Sequence, residues 1–148
     1  MAAAGMWNEM QLITARNEGR EDYMARLDYI LGLVSQRTEC KDGEEMNNLL
    51  SLLDLNTQDI VQEHSTGQRP VLVEEGDAGI TLHVEGEQIV AGLGMKEAIL
   101  LLTAGHCVFA QKYGSSKNVV IFIERAVFKI RQTAYVPRRV RAAMDILE

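Results

Sequence analysis

Residues 95–112 read MKEAILLLTAGHCVFAQK, and this stretch decides the fold. Side chains at helical spacing share one broad side of it: Met95, Ala98, Ile99, Leu101, Leu102, His106, Val108 and Phe109. A helix that is apolar over so much of its circumference must be covered from several directions. The stretch therefore predicts a central helix that packs on a sheet and on other helices.

The residues before this helix change to a period of two, which is typical of strands. Residues 71–73 form a short apolar run, and apolar and polar side chains alternate over residues 80–84. Glu85-Gly86-Glu87 has the composition of a tight turn, and residues 88–91 return as a partner strand. Residues 70–91 therefore predict a three-stranded antiparallel meander.

The N-terminal part carries apolar side chains at helical spacing. One stripe predicts a helix over residues 20–36, and a second predicts a helix that starts at the N-cap residue Asp42, with Glu45 as the capping-box acid. The two stripes are Met24, Leu27, Leu31 and Val34, then Met46, Leu49, Leu50 and Leu53. We also expect a helix before Gly19, and a short helix capped by Asn56 or Thr57 that carries Ile60 and Val61.

Two segments near the C-terminus also have helical spacing. Residues 118–130 begin with a β-branched run typical of a strand, but their apolar spacing favours a helix. Pro137 suits the first position of a terminal amphipathic helix. Its apolar side chains are Val136, Val140, Ala143, Met144 and Leu147.

These elements predict an α+β fold in which an N-terminal helical subdomain precedes a small antiparallel meander packed with helices. The segments expected are a helical subdomain over 1–64, a linker over 65–69, an α+β core over 70–132 and a basic amphipathic tail over 133–148. The linker contains Ser, Thr, Gly and Gln and precedes Pro70, a composition typical of loops.

Composition limits the class of protein. The chain has 148 residues, of which 47% are hydrophobic and 24% charged, so it fits one ordinary globular domain or two very small ones and is not dominated by disorder. No apolar run approaches the roughly 18 to 20 residues that span a bilayer. The N-terminus lacks the pattern of a signal peptide, and two cysteines make no disulfide framework. We therefore expect a cytoplasmic or nuclear protein with no membrane partner.

The net charge of −6 conceals an asymmetry. Residues 1–90 contain 6 basic and 17 acidic residues, whereas residues 91–148 contain 9 basic and 4 acidic ones. Residues 125–141 contain no acid, and their basic side chains are Arg125, Lys129, Arg131, Arg138, Arg139 and Arg141. Such a segment docks on acidic protein surfaces or neutralises phosphates, where Tyr135 would stack on an unpaired base.

One motif has a catalytic appearance. Leu102-Thr-Ala-Gly-His-Cys107 resembles the histidine motif of trypsin-like serine proteases, and residues 76–79 resemble the nucleophile loop of that family. The position of the nucleophile is Ala78, which has no hydroxyl, and the two motifs occur in reversed order. The chain is also too short for the two β-barrels that the family needs.

Other patterns point to no chemistry. His106 and Cys107 are neighbours about 100° apart on a helix, so they bind one metal ion poorly, and no zinc spacing is present. Glu74 and Glu75 point to opposite faces of a strand. Gly92-Leu93-Gly94 lacks the further residues of a nucleotide-binding loop. We predict no catalytic residue, no metal and no cofactor.

Residues 70–130 resemble the C-terminal region of proteins similar to sterile-alpha-motif domain-containing protein 3. The resemblance rests on scattered positions: Pro70 to Val73, Val84 to Gly86, Ile89, Ala98, Leu101, Leu102, His106, Val108, Phe109, Tyr113, Phe122 and Ile123. It implies no active site and a structural role for His106. Gly114 follows Tyr113 here, where the family often has proline.

The sequence therefore predicts a non-catalytic protein–protein interaction or assembly module that self-associates as a homo-oligomer. The predicted interaction residues are the apolar Met24, Leu27, Leu31, Leu49 and Leu53, which a small helical subdomain can scarcely cover alone, and the basic Arg138, Arg139 and Arg141. The alternative, which is not favoured, is a nucleic-acid-associated protein that uses the basic tail.

Overall fold

The computed structural model describes residues 3–40, 43–64, 67–109, 112–131 and 135–148, and it confirms the α+β class. The predicted central helix is α5, Met95–Val108, and ten consecutive residues of it, 98–107, are buried. It packs against helices on several sides and against the sheet. No helix in the described ranges combines the length and the apolar character that crossing a membrane requires.

In the described part of the chain, four helices precede the sheet. They are α1, Ala3–Thr14; α2, Arg20–Thr38; α3, Glu45–Leu52; and α4, Thr57–Ile60. The expected N-cap Asp42 lies outside the described residues. Asn56 caps α4 as expected: its side chain accepts a hydrogen bond from the Asp59 amide at 3.2 Å, and the Asp59 carboxylate accepts one from the Asn56 amide at 2.9 Å.

The sheet contains the predicted meander and one further strand. Its strands, in spatial order, are β1, Val61–Gln62; β2, Val71–Glu74; β3, Ile80–Val84; and β4, Glu87–Leu93. The pairs β2–β3 and β3–β4 are antiparallel, and β1 pairs with β2 in parallel. Glu85 and Gly86 have φ values of 55° and 79°, the positive sign that a type I′ hairpin turn requires.

The expectation that Val61 extends the short helix α4 is wrong. Its φ and ψ are −108° and 121°, and it pairs with Leu72 as the first residue of β1. A helix of one turn gains little from propagation, and a β-branched residue prefers the extended backbone. Val61 is therefore more stable paired with β2 than as a further residue of α4.

The C-terminal segments are helical, as predicted. Helix α6, Lys117–Ile123, continues into a π-helical turn, Glu124–Phe128, which we call the π-turn. The terminal helix α7 is Arg138–Ile146, with Pro137 at its N-cap rather than at its first position. Val140 and Ala143 of α7 are buried, so this helix docks on the chain itself.

The apolar stripes expected on the outside of the helical subdomain are inside. Leu27, Leu49 and Leu53 are 0% exposed and Leu31 is 3% exposed, whereas Met24 is half-buried against the same core. The reason is that α2 packs on α3 and α5, and α3 also meets α7, so distant parts of the chain cover both stripes. One hydrophobic cluster thus contains residues from both sides of the 65–69 segment.

We expect Leu102→Asp to lower the free energy of unfolding by about 3 kcal/mol or more, because Leu102 is 1% exposed on the central helix. Leu12→Asp is the matched control, since Leu12 is 76% exposed on α1 and its replacement costs less than about 1 kcal/mol. Chemical denaturation followed by circular dichroism measures both. Equal stability of the two variants would contradict the central position of α5.

Candidate functional site

A groove of about 470 Å³ lies between the end of the π-turn and helix α7. We call it the C-terminal groove, and four positively charged side chains and five apolar ones line it: Arg125, Lys129, Arg131 and Arg141, then Ala126, Ile130, Val136, Met144 and Leu147. Its volume lies within the range of about 300 to 1,000 Å³ that is common for ligand-binding clefts. It therefore combines an apolar floor with a cationic lining.

Two arginines from the N-terminal half hold the π-turn side of the groove. Arg16 donates hydrogen bonds to the carbonyl oxygens of Phe128 at 2.7 Å and Lys129 at 3.0 Å. Arg26 donates to the carbonyl oxygen of Val127. These carbonyls end the helix and have no partner further along it, so guanidinium groups satisfy them and complement the helix dipole. Arg26 is itself held by an ion pair with Glu18.

The backbone at Lys129 turns the chain out of the helix. Its φ of 55° is left-handed, and the amide of Ile130 donates to the carbonyl oxygen of Glu124 at 2.9 Å. A left-handed residue after the last turn is a common way to end a helix. As a result, Lys129 and Ile130 leave the helix at the edge of the groove.

Helix α7 forms the opposite wall. Val140 and Ala143 anchor it in the core, and Arg37 of α2 donates hydrogen bonds to the carbonyl oxygens of Ile146 and Glu148. With that face fixed inward, Arg141, Met144 and Leu147 line the groove. The buried positions of α7 thus decide which of its side chains reach the site.

The electrostatic character of the groove is positive. No acidic side chain among the described residues lines it, and Lys129, Arg131 and Arg141 are exposed. Within the described ranges of the chain, none of these three cations takes part in a salt bridge. A concave surface with charges of one sign attracts ligands of the opposite sign.

Only one of the predicted interaction residues lies in the groove. Arg141 lines it, whereas Arg138 and Arg139 are exposed on α7 outside its lining. Of the predicted apolar residues, Leu27, Leu31, Leu49 and Leu53 are buried in the core and expose little or no surface to a partner, whereas Met24 is half-buried against that core. The other cations of the groove, Arg125, Lys129 and Arg131, were recognised in the sequence as parts of a basic run. Their spacing did not predict that they line one groove.

A buried acid, Glu124, stands at the start of the π-turn and is 1% exposed. The hydroxyl of Tyr113 donates to its two carboxylate oxygens, each at 3.0 Å. The thiol of Cys107 lies 3.9 Å from Oε1 of the same carboxylate. Sequence reasoning missed this cluster, because an acidic side chain at the end of an apolar run such as 119–123 is ordinarily exposed.

Burial changes the proton affinities of this cluster. It raises the pKa of Glu124 from its ordinary value of 4.5 to about 7, and the hydrogen bond from Tyr113 and the charge of Arg125 oppose that rise. Burial, together with the charge of Glu124, also raises the pKa of the Cys107 thiol and of the Tyr113 phenol. Because thiolate is the reactive form of cysteine, Cys107 lacks the character of an activated nucleophile.

The protease-like motif has the surroundings of a structural element. His106 is 3% exposed, and its ring centroid lies 5.7 Å from that of Tyr113. Ala78, at the position of the missing nucleophile, is exposed in a 3₁₀ turn, Gly76–Ala78, between β2 and β3. In the part of the chain that the structure describes, no group of three or more His, Cys, Asp or Glu residues could hold a metal ion.

Comparison with known proteins assigns no family to this arrangement. No protein-family model, curated protein or solved structure matches the chain. The resemblance of residues 70–130 to proteins similar to sterile-alpha-motif domain-containing protein 3 therefore stays a prediction.

We expect the stability of the protein to fall as pH rises between about 4.5 and about 7, because the pKa of Glu124 is higher in the folded than in the unfolded chain. Below this window the carboxyl is protonated in both states; within it, only the unfolded state releases the proton. The loss attributable to Glu124 approaches about 1.4 kcal/mol for each pH unit and ends above the folded pKa.

Denaturation at several pH values checks this expectation. Glu124→Gln removes that part of the pH dependence, whereas Glu87→Gln, which replaces an exposed carboxyl in β4, keeps the wild-type profile. A Glu124→Gln variant with an unchanged profile would show that the buried carboxyl does not control it.

Proposed function

We propose that this chain is a non-catalytic interaction module whose C-terminal groove binds an acidic segment of a partner protein that also carries apolar side chains. The composition of the groove, four cations around an apolar floor, carries the proposal. The proposed module needs no cofactor and works in the cytoplasm or the nucleus. The buried and protonated state of Cys107 fits a role without nucleophilic chemistry.

The cations of the groove favour a partner with negative charge. Exposed ion pairs contribute only about 0 to 1 kcal/mol each, so Lys129, Arg131 and Arg141 alone give weak and salt-sensitive binding. Their main effects are faster association and the exclusion of basic partners. An acidic partner without apolar side chains would therefore bind weakly.

The apolar floor supplies the remaining affinity. Ile130, Val136, Met144 and Leu147 are half-buried, so part of their surface still faces water. Covering apolar surface contributes about 25 cal/mol for each Å² removed from water. The flexible side chain of Met144 also adapts to ligands of different shape. These features suit an amphipathic helix with leucine on one face and acidic residues beside it.

The predicted apolar interaction residues of α2 and α3 are largely buried, so the interaction surface must lie elsewhere. Leu27, Leu31, Leu49 and Leu53 already contact other parts of the same chain, so they do not drive self-association. The groove, in contrast, keeps exposed cations and half-buried apolar side chains that a partner can cover. We therefore place the interaction at the C-terminal groove and name a different protein as its partner.

Nucleic acid is the second candidate, and the position of Tyr135 favours it. The Tyr135 side chain is 65% exposed, close to the exposed Arg138 and Arg139 in sequence, and Nζ of Lys117 lies 5.5 Å from its ring centroid. An exposed aromatic ring among cations is suited to stack on an unpaired base. This surface lies beside the groove rather than in it, so the two candidates are separable by mutation.

We expect Lys129→Glu/Arg141→Glu to weaken binding of a labelled peptide of alternating aspartate and leucine pairs by about tenfold or more, the equivalent of 1.4 kcal/mol. The matched control is Arg138→Glu/Arg139→Glu, which makes the same charge change on exposed residues outside the groove lining. Fluorescence anisotropy at fixed ionic strength measures the affinity, and the control keeps it within about threefold of the wild type.

A single-stranded oligonucleotide probe distinguishes the second candidate. If the peptide does not bind and the oligonucleotide binds with an affinity that falls steeply with salt, the protein-docking function is wrong and the nucleic-acid function replaces it. In that case Tyr135→Ala lowers oligonucleotide affinity, whereas Leu147→Gln in the groove does not.

A further inference from the structure

We propose that protonation of Glu124 and occupation of the C-terminal groove are thermodynamically linked, so that the acidic segment binds more tightly to the protonated protein. The inference rests on the proposed function of the groove. It adds regulation by pH, since a titratable group in the core, Glu124, would change the affinity of the groove. The buried carboxyl does not line the groove, and it acts through the π-turn that carries both.

The π-turn joins the two sites within five residues. Glu124 begins it and is buried, whereas Arg125 and Ala126 of the same turn line the groove, and Lys129 follows directly. The carbonyl oxygen of Glu124 also accepts the hydrogen bond from the Ile130 amide that ends the turn. A change of charge at Glu124 thus occurs next to the backbone that shapes the groove wall.

Among the residues that the structure describes, few charged or titratable groups face the Glu124 carboxylate. Helix α5 brings the thiol of Cys107, and the segment after α5 brings the phenol of Tyr113, against which the ring of His106 packs. Both contacting groups are neutral at neutral pH, since the pKa of each is raised. The positive charge that stabilises ionised Glu124 is that of Arg125, its neighbour in the π-turn.

The positive charge of Arg125 therefore acts both on ionised Glu124 and on an acidic ligand in the groove. An acidic side chain bound beside Arg125 places a second negative charge near Glu124, which makes ionised Glu124 less favourable and raises its pKa. Linkage is reciprocal, so a protonated Glu124 must increase the affinity of the groove for the acidic segment by the same factor. Since the pKa of unliganded Glu124 is about 7, the change falls in the physiological range.

The first test measures the affinity of the aspartate–leucine peptide from about pH 6 to about pH 8, a range in which its aspartates stay ionised. We expect the affinity of the wild type to fall by roughly fivefold or more across this range. Glu124→Gln, which keeps a neutral side chain of similar size, is expected to bind at every pH as the wild type binds at pH 6. A pH dependence that persists in Glu124→Gln would assign the effect to another group and overturn the proposal.

A second measurement needs no variant. Isothermal titration calorimetry of the wild type near pH 7, in buffers with different enthalpies of ionisation, reports the number of protons taken up when the peptide binds. We expect net uptake, because binding raises the pKa of Glu124. Zero uptake or net release would overturn the proposal even if Glu124→Gln failed to fold.

Tyr113→Phe gives an independent check on direction. Its hydroxyl donates to ionised Glu124 and so lowers the pKa of that carboxyl. Removal of the hydroxyl is expected to move the midpoint of the pH dependence upward while the linkage persists, and a downward shift would count against the mechanism.

Peptide binding without any pH dependence would refute this linkage alone, whereas the absence of saturable peptide binding at every pH would refute the proposed function as well.

Discussion

Burial of α5 on all sides is the constraint on which the rest of the structure depends. Ten consecutive residues of this helix avoid water, so no two-layer arrangement can satisfy it. Helices α1, α2 and α6 cover it together with strands β2 and β3. Close approach is needed at Gly105, where an added Cβ would lie 3.3 Å from Cβ of Pro70, tighter than most packed carbon pairs. The small residue thus lets the chain enter β2 directly against the helix.

The same constraint explains the buried acid. Helix α6 must present its apolar run 119–123 to the core, and the next residue, Glu124, is carried inward with it. A carboxylate buried alone is costly, and two responses reduce the cost here: the Tyr113 hydroxyl donates to both oxygens, and the pKa rises to about 7. The π-turn begins at this residue, in keeping with the tendency of such turns to occur at functional positions.

The sequence predicted elements better than it predicted contacts. Helical spacing found α2 and α3 because Leu27, Leu31, Leu49 and Leu53 recur with the period of a helix, but a stripe does not say what covers it. Their coverage depends on α5 and α7, which come from distant parts of the chain. For a similar reason the cations of residues 125–141 were visible as a basic run, while their division between groove and outer surface was not. Arg141 lies in the groove and Arg138 on the outer surface, because α7 turns the face with Val140 and Ala143 to the core.

The division of α7 into a buried face and a groove face makes the groove depend on the fold. Val140 and Ala143 face the core, and helical geometry then places Arg141, Met144 and Leu147 on the neighbouring side. On the opposite wall, hydrogen bonds from Arg16 and Arg26 hold the π-turn at its carbonyl end, so residues from the N-terminal half position cations of the C-terminal half. The groove is therefore a product of both halves of the chain. A peptide that contained only the basic segment would reproduce its charge but lose its shape, and shape is what separates an apolar–acidic ligand from any other polyanion.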